Sequence, residues 1–264
     1  MVSMKQDLIY FFQLAKFNIK NALVLGTSFW IAIFGMILNN LVFFVTWYLF
    51  TYATGPINGW TNADIFATLA VSMFCFGVAH AFFNGIVELP DIVNQGKFDA
   101  VLLAPRNILI RLSGMTFSIT AFGDIIMGLG VMLWYGVIRG FDLKTWLIFF
   151  GISFLGIIIF FCIRLLTSLV SFYIHDSKLI SGQMFELFLR PGLYPGSIFP
   201  YKMKIIFMTI VPTLITSVVA IDFLKTENMS IIFISFASTI FWVILTAYVF
   251  KNAIKRYESG NFLR

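Results

Sequence analysis

Residues 88–111 read ELPDIVNQGKFDAVLLAPRNILIR, and they are the longest polar interruption between the apolar runs of the first half of the chain. Pro90 suits the first turn of a short helix, where its missing N–H costs nothing, and Asp91 is favourable near that helix start. Gln95-Gly96 is a stop signal. Asp99 is placed to cap a second short helix over Ala100–Leu103, and Pro105 ends it before the chain turns back. The reading is a helix-bearing loop lying across a membrane surface, with Ile92, Val93 and Phe98 available for a groove on a partner protein.

The flanks of this loop explain why a membrane enters. Hydrophobic residues make up 60% of the chain and charged residues 11%, against about a quarter charged in soluble domains. Mean hydropathy is +0.94. Several apolar runs exceed about 18 residues, which is the signature of a polytopic helical membrane protein. A net charge of +6 would suggest nucleic acid in a soluble protein; here it fits basic loops on a cytoplasmic face. No nucleic-acid partner is expected; membrane lipid is. Cys75 and Cys162 both fall inside apolar runs and read as small buried hydrophobes.

Upstream, residues 1–25 place Leu8, Ile9, Phe12, Ala15, Ile19 and Leu23 at helical spacing, with Asp7, Lys16 and Lys20 elsewhere. That pattern predicts an interfacial helix, apolar face in the lipid. Residues 28–50 form a first span without charge, carrying Asn39 and Asn40. Residues 52–62 read as a short external loop. Residues 64–87 form a second span, in which Ser72, His80, Asn84 and Glu88 share one i, i+4 row and predict an interhelical polar seam.

Downstream, residues 113–138 form a third span with Thr116, Thr120 and Asp124 on one face. Gly123, Gly128 and Gly130 would admit another backbone. Residues 145–174 are a fourth span, with Arg164 expected to snorkel to headgroups or to pair with Asp124 or Glu186. Residues 179–198 carry Gln183, Glu186 and Arg190 on one face, the last two as an i, i+4 pair, before Pro191 and Pro195 interrupt the helix. Residues 201–223 are apolar but broken at Pro212, and 229–250 form the last span.

Two topologies fit the fifth region. Either residues 179–198 cross and 201–223 dip in and out, or residues 179–198 stay at the surface and 201–223 cross. Both give an all-α protein with six transmembrane helices and both termini cytoplasmic. The second moves Arg190, Lys202 and Lys204 inside, so charge alone prefers it.

This order of parts resembles the permease subunits of type-2 ABC transporters, over the whole chain. The loop residues Glu88…Gly96-Lys97-Phe98-Asp99…Leu103-Ala104-Pro105 are similar to the E…G-x-hydrophobic-D…L-x-x-P pattern of one bacterial branch. Tyr194-Pro195…Phe199-Pro200, with Pro212 downstream, is similar to that family's broken re-entrant segment. The resemblance implies a bacterial plasma-membrane exporter subunit in which the loop couples to a cytoplasmic ATPase through Glu88, Pro90, Asp91, Gly96, Lys97, Phe98, Asp99, Pro105 and Arg106. It also implies the first topology, with a re-entrant segment before the last span and Lys202 and Lys204 as departures. A second permease, related or identical, would complete the pathway, a heterodimer being slightly favoured.

The sequence carries no nucleotide motif of its own. Its one Gly-Lys, Gly96-Lys97, is followed by Phe98 and lacks the upstream glycine of a P-loop. ATP and Mg are therefore expected on the partner, and no catalytic or metal role is expected here. The competing reading is an ion-gradient-driven secondary transporter, motivated by Asp124, His80 and Glu186 at membrane depth. It lacks the second broken helix that inverted repeats would supply. An integral-membrane metalloenzyme built on His80, His175 and Glu186 lacks any ligand motif.

Overall fold

The computed structural model describes residues 4–103 and 105–257. Ala104 and the extreme termini, including residues 1–3 of the expected interfacial helix and Arg264 of the basic tail, lie outside the described residues. Among the described residues the chain is helical, with one isolated bridge between Ile57 and Trp60.

Helix α1 (Met4–Val24) turns at Gly26, whose φ is 56°, into α2 (Thr27–Thr54). Helix α3 (Asn62–Phe83) continues through a short 3₁₀ turn into α4 (Leu89–Asn94), and α5 (Phe98–Leu102) follows. Then come α6 (Ile108–Gly114), α7 (Ala121–Ile138) and α8 (Leu143–Ser168). The last third holds α9 (Lys178–Leu189), α10 (Tyr201–Thr209), α11 (Val218–Thr226) and α12 (Met229–Ile254).

Five of these helical stretches are long and apolar enough to cross a membrane: α2, α3 with its continuation to Asn94, α7, α8 with its continuation to Phe172, and α12. Residues 179–198, expected as a span interrupted at Pro191 and Pro195, do not form one long apolar helix. Helix α9 has 12 residues, about 18 Å of rise against roughly 30 Å of hydrocarbon. Pro191 and Pro195 then force two short 3₁₀ pieces, because neither can donate to a continuing helix.

The broken segment nevertheless runs the depth of the bundle. At its start Lys178 pairs with Asp91, beyond the far end of α3. At its finish Ser197 donates to the Ile57 carbonyl at 3.0 Å and accepts from Asn58 at 3.1 Å, just before α3 begins. Helices α10 and α11 then form a hairpin. Lys204 and Asp222 bridge its arms at 2.6 Å, and Lys225 donates to the Gly59 carbonyl at 3.1 Å. Its turn, residues 212–216, is entirely buried and reaches Gly156 in the middle of α8.

The third span begins later than expected. Residues 115–120 interrupt the helix, so Thr116 lies off it and shares no face with Asp124. The interruption, MTFSIT, is rich in β-branched and hydroxyl residues that compete for backbone groups; Ser118 and Thr120 lie 3.1 Å apart, oxygen to oxygen. Gly130 faces open space, unlike Gly123 and Gly128, which meet backbone of α2 and α3.

Helix α1 keeps its large apolar residues outward: Leu8, Ile9, Phe12 and Leu23 are all exposed, while Asp7, Ala15 and Ala22 are buried. Asn18 anchors the helix to α6 through the Gly114 carbonyl at 2.9 Å.

Candidate functional site

The loop after α3 is built as its local chemistry requires. Pro90 occupies the first turn of α4. Gly96, at φ 67°, closes that helix. Its N–H meets the Val93 carbonyl at 3.0 Å, and the Lys97 N–H meets the Ile92 carbonyl at 2.9 Å. This paired closure needs a left-handed residue, for which glycine has no Cβ penalty. Asp99 does not cap the second helix, as the sequence pattern suggested; α5 starts at Phe98 with Lys97 before it, leaving Asp99 in the first turn. Asn107 caps α6, accepting from Leu109 at 3.0 Å and Ile110 at 3.3 Å.

Val93 and Phe98 are not available to a partner. Phe98 is fully buried, Val93 nearly so, and Ile92 packs against the same cluster, which joins Leu165, Leu169 and Ala253. Phe98 stands edge-on to Phe172 and Tyr257, with ring centroids 5.1 and 5.0 Å away. Burial and the neighbouring Asp99 raise the Tyr257 phenol above its ordinary pKa. The loop is amphipathic, and its apolar face fastens it to the ends of α8 and α12. What it leaves outward is Gln95, Lys97, Ala100, Leu103 and Pro105, with Leu103 at 84% exposure. Glu88 and Asp91 are half-buried on the inner side. The Asp91 carboxylate holds the Lys178 ammonium above its ordinary pKa. Arg106 lies 4.0 Å from Asp7 and stacks on Tyr10, which ties the loop to α1.

The polar groups at membrane depth do not form one seam. Asn40 of α2 donates to Asp124 of α7 at 2.6 Å, both buried. Asn39 points outward, where its nearest acceptor is the Met36 sulfur. His80 stacks on Phe76, ring centroids 4.1 Å apart. Asn84 has left the α-helix for the 3₁₀ turn and donates to Thr116 at 3.3 Å. The i, i+4 row therefore breaks before Glu88. Glu186 and Arg190 do not pair among the described residues; Arg190 begins the 3₁₀ break that Pro191 imposes, so the helical register ends there. Tyr194 meets Trp47 edge-on at 6.0 Å, Pro195 is buried, and Phe199 packs on Phe207 at 5.3 Å, with Pro200 exposed behind it.

One cluster escaped the sequence reading. The Asp64 side chain, fully buried, accepts from Tyr135 at 2.7 Å, Arg139 at 2.5 Å and Lys225 at 2.8 Å. It also completes a capping box with Thr61 at the start of α3. One carboxylate thus joins α3, α7 and α11. The signal was present as charges at the edges of apolar runs, but only the fold shows that the three edges meet.

A family model described as ABC-2 family transporter protein matches residues 36–260. The chain belongs to the ABC-2 transporter family. Comparisons with curated proteins and with solved structures found no match. The permease is a multi-pass membrane protein and a translocation component; permeases of this family generally work with ABC ATPase subunits. The matched residues include the whole loop from α3 to α6, the broken α9 segment and the α10–α11 hairpin.

The Asn40–Asp124 contact in the permease gives a first expected result. Asn40→Leu removes the single described donor to Asp124 and should destabilise the α2–α7 pair by about 0.5–2 kcal/mol, the range for interhelical hydrogen bonds in lipid. Asp124→Asn, which keeps an acceptor of the same size, should cost less. Thermal unfolding of the two purified variants checks the order; equal losses would show that the contact carries no stability.

Proposed function

We propose that this permease forms half of the pathway of an ATP-driven exporter in a bacterial plasma membrane, with the α4–α5 loop as its coupling element. The observation that carries this reading is the two-faced loop. Its inner face, Leu89, Phe98 and Val101, is fully buried against the bundle, so displacement of the loop moves α8 and α12 with it. Its outer face presents Lys97, Ala100 and Leu103 to a cytoplasmic ATPase. A second permease, slightly favoured as a related rather than identical chain, supplies the other half. ATP and Mg belong to the ATPase. The broken segment from Lys178 to Ser197 serves as the sixth crossing, and the α10–α11 hairpin dips from the outer side. Both ends then lie in the cytoplasm. Rigid-body tilting of the spans would alternate access.

The reading predicts a separation between two variants. Leu103→Asp changes only the exposed face; it should leave the permease folded and remove at least about nine-tenths of the ATPase recovered with it in mild detergent. Phe98→Ala opens a cavity under the loop and should cost about 3–5 kcal/mol of stability. Normal ATPase recovery with Leu103→Asp, from a folded protein, would overturn the coupling assignment.

A further inference from the structure

A cavity of about 760 Å³ opens between α3, α8 and α9 on the side of the bundle that carries α4. Its walls include Phe76, His80, Arg164, Gln183, Phe185 and Glu186. Arg164 sits four residues before the end of α8, roughly 6 Å of helix rise, and eight before Phe172, where the continued helical stretch ends. Its guanidinium lies 4.8 Å over the Phe185 ring. Its Nε is buried and has no hydrogen-bond partner among the described residues. Glu186 and Asp176 line the same cavity, and neither forms an ion pair with Arg164 among the described residues. At the rim, by contrast, Lys178 and Asp91 neutralise each other. The Phe76, His80 and Phe185 rings pack together as one aromatic wall, with His80 and Phe185 centroids 6.1 Å apart.

We propose that this cavity binds the head of a membrane amphiphile bearing a single negative charge, a phosphate or carboxylate held by Arg164 and Gln183. A half-buried guanidinium with an unused, buried Nε donor is costly unless an acceptor reaches it, and guanidinium is the side chain best shaped for phosphate or carboxylate. The aromatic wall receives the apolar portion next to the head. Glu186 and Asp176, which also line the cavity, set the charge limit: Arg164 can hold one anionic group, and any further negative charge would face carboxylates. The inference rests on the membrane placement proposed above but not on ATPase coupling.

The test is native mass spectrometry of the full-length purified permease, titrated with phosphatidylglycerol, phosphatidylcholine and phosphatidic acid. The wild type should hold one phosphatidylglycerol about tenfold more tightly than phosphatidylcholine, the scale of one charge-assisted hydrogen bond. Arg164→Gln should abolish that preference. Glu186→Gln should keep it and raise the affinity for phosphatidic acid. Because Arg164→Gln could fail to fold, Gly182→Phe provides an independent block: a Cβ at Gly182 meets nothing within 4 Å, so a ring can enter the cavity without displacing the fold. Arg190→Gln, outside the cavity, should bind as wild type. The proposal is overturned if Gly182→Phe retains the preference, or if Arg190→Gln loses as much as Arg164→Gln. Exchange of the bound lipid in native vesicles only when ATP is supplied identifies it as cargo; retention with ATP present identifies a resident lipid, and either supports the site. Failure to recover an ATPase would sink the coupling reading and leave this binding result standing.

Discussion

Asp64→Ala should destabilise the permease by on the order of 3 kcal/mol, the lower end of the range for removing one partner from a buried ion pair. The carboxylate is completely enclosed and receives Tyr135, Arg139, Lys225 and the Thr61 backbone. Loss of the capping box at α3 adds about 1 kcal/mol of that total. The lower end applies because the cations are less confined than the anion: the side chains of Arg139 and Lys225 are 42% and 27% exposed. Once abandoned, they can turn to water. Tyr135 cannot, being 1% exposed, and its hydroxyl would be left unpaired. Lys225→Met should therefore cost much less, under about 1 kcal/mol, as for ion pairs with an exposed member. Thermal unfolding of the two variants in detergent measures both. Equal and small losses would mean that the cluster orients the α11 end without stabilising it.

That cluster marks where sequence reading ran out. The long spans were legible because each is an apolar run with its own ends, and Pro90, Gln95 and Gly96 announce local turn chemistry that needs no knowledge of the rest. The orientation of the loop was not legible. Ile92, Val93 and Phe98 form an apolar face, and an apolar face in sequence looks the same whether it meets a partner or its own bundle. Only the positions of Leu165, Leu169 and Ala253 decide that it turns inward. The polar row from Ser72 to Glu88 failed for a related reason. It assumed one uninterrupted helix, whereas the backbone tightens at Asn84, and the row divides among separate neighbours. Residues 179–223 were ambiguous because charge counts respond to loops, while the path of this segment is fixed by contacts at its two ends, Lys178 with Asp91 and Ser197 with Ile57 and Asn58.

Gly128→Leu should be strongly destabilising, and Gly130→Ala, two residues away, should be harmless. Both glycines sit in α7, where replacing glycine by alanine ordinarily stabilises a helix by up to about 1 kcal/mol. At Gly128 a Cβ would lie 2.6 Å from the Phe74 nitrogen and 2.7 Å from the Ala70 carbonyl oxygen. Those are backbone atoms of α3, and no rotamer change relieves them. Gly77 makes the reciprocal approach from α3, its Cβ position 2.8 Å from the Ile125 nitrogen. The two helices are held at backbone contact, so accommodating even one methyl group means separating them. Lipid supplies little driving force to close the gap again, since association there depends on close packing and hydrogen bonds. Over-packing costs about 1–3 kcal/mol in a core that can adjust; with backbone on both sides the cost falls at the upper end or beyond. At Gly130 nothing lies within 4 Å, so alanine there should be neutral or stabilising by up to about 1 kcal/mol. Unfolding temperature and recovery of monodisperse protein in detergent measure both variants. Equal behaviour would show that α3 and α7 are not in backbone contact at Gly128, and that the spacing of the central pair is set by other residues.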